Sequence, residues 1–176
     1  CLTSPTGGGK GLIIAKSIIS AVESGKKVSL YTNRKLLIDQ LSRVLDKAGI
    51  RHGIRAASYE QDFSQQVQIS SVQTESSRSV KRGTWKLHDA DVIWLDEAHI
   101  NQAEQCQELQ RRHLEKPGSV WLGATATPLD LGHMYDKLIV AGTKKECRDH
   151  GALVYAKHYG ISEPDMRKYK QSVKTG

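Results

Sequence analysis

Lys10 follows three consecutive glycines in Ser4-Pro-Thr-Gly-Gly-Gly-Lys-Gly11. Glycine reaches positive φ without strain, so Thr6, Gly7, Gly8 and Gly9 can turn backbone N–H groups toward one point. An apolar segment at helical spacing, Gly11 to Gly25, follows and brings its positive dipole end to the same place. The chemistry this offers is polyphosphate binding. The pattern G-x-x-x-x-G-K-[ST] is met at Gly9 and Lys10, with Ser4 in the first glycine position. It is missed at Gly11, where a hydroxyl normally ligates Mg²⁺. By itself the stretch also reads as a glycine-rich turn before a helix.

A second set of groups lies at Val92 to His99, Val-Ile-Trp-Leu-Asp-Glu-Ala-His. An apolar run that ends in carboxylates puts Asp96 and Glu97 at a sheet edge. Asp96 can hold Mg²⁺ through its waters, and Glu97 can deprotonate an attacking water. Acidic residues also end strands merely for solubility, but the order Asp-Glu-Ala-His behind a Gly-Gly-Gly-Lys loop makes coincidence a poor account. A third set is the threonine-rich turn Gly123-Ala-Thr-Ala-Thr-Pro128. Its hydroxyls can exchange between backbone and side-chain partners.

These groups need elements to hold them. Lys27–Thr32 reads as a strand, and 34–49 as an amphipathic helix closed by Gly49. Val67–Ser70 and Asp91–His99 read as strands, and Gln102–Lys116 as a polar-faced helix. Ser119–Pro128 reads as a strand breaking into a turn. Strand then helix, repeated, predicts an α/β fold with a parallel sheet covered by helices on both faces. Ligands in such sheets bind at the carboxyl ends of the strands. Later, 144–151 reads as a short helix, 152–160 as a strand, and 161–176 as a linker or frayed tail. Trp94 and Trp121 sit in apolar runs and are expected in the core. Trp85, between Lys81, Arg82 and Lys86, reads as a half-buried indole in a solvated loop, with base stacking as the rival reading.

The chain has 176 residues, with 26 Lys and Arg against 19 Asp and Glu, a net charge of +7. That excess favours polyanionic partners, nucleic acid above all. The three cysteines, Cys1, Cys106 and Cys147, are widely spaced and build neither a disulfide framework nor a metal knuckle. A reducing cytoplasm is the expected compartment. No run approaches the ~20 apolar residues of a membrane span.

In order along the chain, Ser-Pro-Thr-Gly-Gly-Gly-Lys, Asp-Glu-Ala-His and Gly-Ala-Thr-Ala-Thr-Pro resemble motifs I, II and III of the superfamily II DEAD/DEAH-box helicases and translocases. Thr32–Leu41, with Asn33, Arg34 and Gln40, looks like motif Ia, and Ser70–Thr74 like motif Ib. The wording is closest to DNA-repair and phage helicases of that group. The resemblance implies a RecA-like P-loop NTPase domain with ATP and Mg²⁺ as cofactors. It implies that Thr6, Gly7, Gly8, Gly9, Lys10 and Gly11 bind phosphates, that Asp96 and Glu97 serve Mg²⁺ and water, and that His99 links the ATP site to the threonine turn. Thr125 and Thr127 would couple ATP state to nucleic-acid grip. Arg34, Gln73 and Thr74 would touch a nucleic-acid backbone, DNA rather than RNA.

The family builds its ATP site between two RecA-like domains, the second supplying arginines to the transferred phosphoryl group. Residues 1–140 therefore read as the first such domain, lacking its N-terminal end, and 141–176 as the start of the second or a linker. The expected setting is the cytoplasm of a prokaryotic or phage-infected cell. Two alternatives stand beside the helicase reading. One is a non-catalytic nucleic-acid clamp whose ATPase was lost at Gly11. The other is a P-loop ATPase that acts without nucleic acid.

Overall fold

The computed structural model describes residues 1–155. Seven strands form one sheet: β1 (Leu2–Thr3), β2 (Val28–Thr32), β3 (His52–Arg55), β4 (Val67–Ser71), β5 (Val92–Asp96), β6 (Val120–Thr125) and β7 (Ile139–Val140). Their order is β3-β4-β2-β5-β6-β1-β7, and every pairing is parallel. All seven carboxyl ends therefore share one edge of the sheet.

The hydrophobic pattern explains the layers. β2 is buried along its whole length, as a central strand of a parallel sheet requires. One face is covered by α1 (Lys10–Glu23) and α2 (Lys35–Lys47). α2 buries Ile38, Leu41 and Leu45, spaced three and four apart, against Leu30 and Ile69. Burying a side chain of this kind stabilises by about 1.5–3 kcal/mol. The other face carries Tyr31, Ile93, Leu95 and Trp121 under α4 (Glu104–Leu114), which contributes Cys106 and Leu109. The short α3 (Val72–Glu75) runs on into a π-helical turn, Ser76–Lys81, on that same face. Trp94 and Trp121 are core residues, as expected. No helix among the described residues is long and apolar enough to cross a membrane.

Several elements depart from expectation. β3 and β7 were not legible. His52-Gly-Ile-Arg55 lacks an apolar alternation, and β7 is a two-residue edge strand with both side chains exposed. The short helix predicted from residue 144 is present as α5 (Lys144–Asp149), closed by a capping box between Thr143 and Glu146. The strand expected over 152–160 is not formed where it can be seen: residues 152–155 are irregular, and the rest lies outside the described residues. The expected tail, 161–176, also lies outside them. Leu153 turns back on the domain, where its Cδ2 stands 3.0 Å from the position a Gly7 Cβ would take.

Candidate functional site

The glycine-rich loop hangs between β1 and α1. Ser4 Oγ donates to Gly8 O at 3.0 Å, and Gly8 N donates to Pro5 O at 2.8 Å. These two bonds fold the loop into a tight turn. A Cβ on Gly8 would stand 2.5 Å from Ser4 Oγ, so only glycine fits there. Gly7 and Gly9 have φ of 78° and 85°, in the left-handed region that favours glycine. Among the described residues, the N–H groups of Gly7, Gly9, Lys10 and Gly11 find no acceptor in the protein. Donors of this kind at the start of a 14-residue helix are chemically suited to an anion. Lys10 Nζ rests on the carbonyls of Ser4 and Pro5, at 3.3 and 3.5 Å. A Cβ on Gly11 would meet nothing within 4 Å, so no packing demands a glycine there.

Asp96 ends β5, two strands across from β1 with β6 between them. Its Oδ1 accepts from Glu97 N at 3.0 Å. Burial pushes its carboxyl above the usual range, and Glu97 adds to this; the Glu97 N–H and the Lys10 charge act the other way. Lys10 and Asp96 thus feel each other across the site. Glu97 leaves the strand with φ 49° and ψ 51°, a left-handed conformation rare outside glycine and found where a site holds strain. That twist ends β5 at Asp96 and starts a 3₁₀ turn, Ala98–Ile100. Glu97 Oε2 lies 3.4 Å from His99 Nδ1.

The same His99 nitrogen stands 2.8 Å from Thr125 Oγ1 at the end of β6. Thr125 Oγ1 also accepts from Thr127 N at 3.0 Å and faces Thr127 O at 3.3 Å. With Nδ1 unprotonated the Thr125 hydroxyl proton has two acceptors, His99 Nδ1 and Thr127 O; with Nδ1 protonated toward Glu97 only Thr127 O remains. A change at Glu97 can reach the threonine turn by moving that proton's allegiance.

Two residues not anticipated hold this arrangement. Asn101, 3% exposed, donates from Nδ2 to Asp96 O at 3.0 Å and Glu97 O at 3.2 Å. Gln102 Nε2 donates to His99 O at 3.0 Å and Leu129 O at 3.3 Å, joining the carboxylate turn to the segment after the threonine turn. The only sequence signal was a pair of amides right behind Asp-Glu-Ala-His. Ser4, placed by pattern in a glycine position, instead acts as the loop's internal tie.

Arg34, Gln73 and Thr74 stand apart from this centre. Arg34 is exposed at the start of α2, after β2. Gln73 is exposed and accepts from Ser71 Oγ at 3.0 Å, while Thr74 Oγ1 accepts from Ala57 N at 3.3 Å. β2 and β4 are neighbours, so these three residues share one end of the carboxyl edge. Three strand spacings separate β2 from β1, roughly 14 Å. Close by, Thr32 Oγ1 and Asn33 Oδ1 are buried with no hydrogen-bond partner among the described residues.

A glycine-cradled anion site, two carboxylates and a histidine–threonine contact thus stand at the ends of three neighbouring parallel strands. The family described as "Type III restriction enzyme, res subunit" matches residues 1–130 of this chain. The chain belongs to that family. Its fold is that of the RecA-like domain of superfamily II helicases. The helicase domain of Hef from Pyrococcus furiosus superposes with a TM-score of 0.67 at 17% identity, over 84% of this chain and 36% of that one. A hypothetical ATP-dependent RNA helicase from Sulfolobus tokodaii gives 0.62 at 15% identity, over 80% and 47%. A "51.5 kDa protein" of a Lactococcus phage (isolate 7-9) is 24% identical over 174 residues, 96% of this chain and 34% of its own length. The chain spans about a third of that relative.

Proposed function

We propose that this domain binds ATP and hydrolyses it to drive movement along nucleic acid, DNA rather than RNA. The observation that carries the reading is the single His99 nitrogen shared between Glu97 and Thr125, at 3.4 and 2.8 Å. It ties the residue suited to activate water to the turn suited to report phosphate state.

In this reading the free N–H groups of Gly7, Gly9, Lys10 and Gly11 and the Lys10 ammonium bind the β- and γ-phosphates. Lys10 exchanges its two carbonyl partners for phosphate oxygens. Glu97 orients a water and takes its proton. The loss of the γ-phosphate is felt at Glu97, passed to His99, and read by Thr125 and Thr127. Arg34, Gln73 and Thr74 supply phosphate-backbone contacts that give affinity without base readout. Asp96 suits Mg²⁺: its carboxylate has no ion-pair partner among the described residues, and Mg²⁺ needs only one or two carboxylates beside phosphates and waters. Bound there, the ion neutralises charge on the phosphates. A second RecA-like domain, which the helicase reading implies, would complete the site with arginine.

Gly11 favours one rival, a clamp that binds nucleotide and nucleic acid without turnover. Calorimetry of ATP binding, with and without Mg²⁺, tests the loop directly in the native chain and in Lys10→Ala. DNA-stimulated phosphate release by the longer parent then separates motor from clamp. ATP binding that survives Lys10→Ala unchanged would sink the phosphate-loop assignment.

A further inference from the structure

A cleft of about 400 Å³ opens at the opposite end of the sheet from the phosphate loop. Its lining includes Lys27, Phe63, Trp85, Lys86 and Asp89, with Arg55 at its back. Lys27, Phe63 and Asp89 lie one, four and three residues ahead of β2, β4 and β5. The cleft therefore sits toward the amino ends of the strands. Arg55, the last residue of β3, closes it from behind and is tied there to Glu75 of α3. The cleft lies on the α4 face, because Arg55, Ser70 and Tyr31 are partners in register and Tyr31 belongs to the core under α4.

The aromatic rings are held rigidly. Phe63 and Trp85 meet edge to face at 5.2 Å. The Arg55 guanidinium lies 4.8 Å from the Phe63 ring centre and 5.4 Å from that of Trp85. Arg78 covers Trp85 at 4.4 Å. Arg55 is neutralised by Glu75, so it serves as a backing plate rather than a free cation. Phe63, the chain's single phenylalanine, still keeps 47% of its surface exposed. Asp89 is already matched by Lys116 at 3.0 Å and Lys27 at 3.7 Å. Lys86 is exposed, and so are Lys81 and Arg82 on the turn that leads into the cleft. The same sheet face is polar beneath: Ser29, Gln68 and Ser70 are buried there, each with an oxygen lacking a partner among the described residues.

We infer that this cleft is a second ligand site, taking a nucleobase and its phosphate from a single strand of nucleic acid. The base stacks on the open face of Phe63, and phosphates meet Lys27 and Lys86. An aromatic ring with flanking cations is the usual platform for an unpaired base. The cations continue from Lys86 past the cleft to Lys81 and Arg82, which suits a run of phosphates rather than one. The inference stands without the ATP site, since no residue is shared between them.

Tryptophan emission reads the site, because Trp94 and Trp121 are buried and Trp85 is half-exposed. The whole chain is titrated with a short oligothymidylate and, separately, with AMP. Oligothymidylate is expected to quench emission, and Phe63→Leu to weaken that binding at least tenfold. Phe63 is exposed, so the variant should melt like the native chain. Lys86→Ala should reduce the slope of log affinity against log salt by about one. Lys47→Ala, an exposed cation on α2 across the sheet, should leave the quenching in place. Equal quenching in native chain and Phe63→Leu, or none in the native chain, overturns the site. Phe63-dependent quenching by AMP that the strand cannot match overturns the assignment to a strand.

Discussion

Glu75→Gln is expected to cost this domain more than any surface substitution. Glu75 is 0% exposed and Arg55 3%. Arg55 Nε and Nη2 donate to Glu75 Oε2 and Oε1 at 2.9 and 2.7 Å, a bidentate pair. Arg55 Nη2 donates also to Lys86 O at 2.6 Å, and Ser79 Oγ donates to Glu75 Oε1 at 2.6 Å. With the carboxylate gone, the guanidinium stays buried with its charge uncompensated. Removing one partner of such a pair costs about 3–5 kcal/mol. For a domain of this size each kcal/mol lowers Tm by about 2–4 °C, so a fall of roughly 6–20 °C follows. Arg55→Met should cost a similar amount by stranding Glu75. The double variant Arg55→Met/Glu75→Leu loses charge and partner together, and replacing a buried pair by apolar groups is often near neutral. It should therefore lie within about 2 kcal/mol of the native chain, with the loss of the Lys86 carbonyl and Ser79 contacts setting the remainder. Urea unfolding followed by circular dichroism gives all three values. Single effects below about 1 kcal/mol, or a double effect equal to their sum, would refute the reasoning.

Lys10→Ala should weaken ATP binding by about 10- to 150-fold, the worth of a hydrogen bond from a charged group, as read by calorimetry. Gly11→Thr should fit without loss of stability, because the position opens on free space, and should raise the benefit of Mg²⁺ to ATP binding. Gly8→Ala should abolish ATP binding while the core melts nearly as before, since its Cβ would strike Ser4 Oγ and break the turn. Thr125→Val should leave ATP affinity intact and reduce any stimulation of phosphate release by DNA. Acid should destabilise the domain through His113, buried against Tyr31 with Nε2 2.8 Å from the phenol oxygen. Burial, with help from His88 and Arg55, lowers its pKa from 6.5 to about 4. The unfolded chain takes up that proton first, so stability is full above about 6.5, falls as pH drops, and is down by roughly 3 kcal/mol near pH 4. Melting His113→Gln across that range should show a flatter pH profile.

The parallel sheet was legible because its central strands are short apolar runs set between amphipathic helices. Val92–Asp96 could be read from four apolar residues and a carboxylate end, and α2 from its buried stripe. The loop, the carboxylates and the threonine turn were found because each is a local sequence pattern. β3 was hidden because its inward residues are Gly53 and Arg55, and the burial of Arg55 depends on Glu75 twenty positions away. Asn101 and Gln102 were missed because their targets are backbone carbonyls, which leave no trace in residue type. The expectation of a strand from residue 152 failed because Leu153 packs on the phosphate loop instead of extending a sheet edge.

β1 has two residues, and its partners are β6 and β7. Cys1 O accepts from Ile139 N, and Cys1 N donates to Lys137 O across 136 positions. During synthesis the strand under the phosphate loop is made early, but both of its rails are made late. β2, β4, β5 and α2 can assemble first, from contacts closer in sequence. The loop takes its shape only once β6 and β7 have left the ribosome. Closing so long a span is slow, because chain entropy must be lost before the contacts form. The shape of the loop around Lys10 is thus a property of the nearly finished sheet, set only after β6 and β7 are in place.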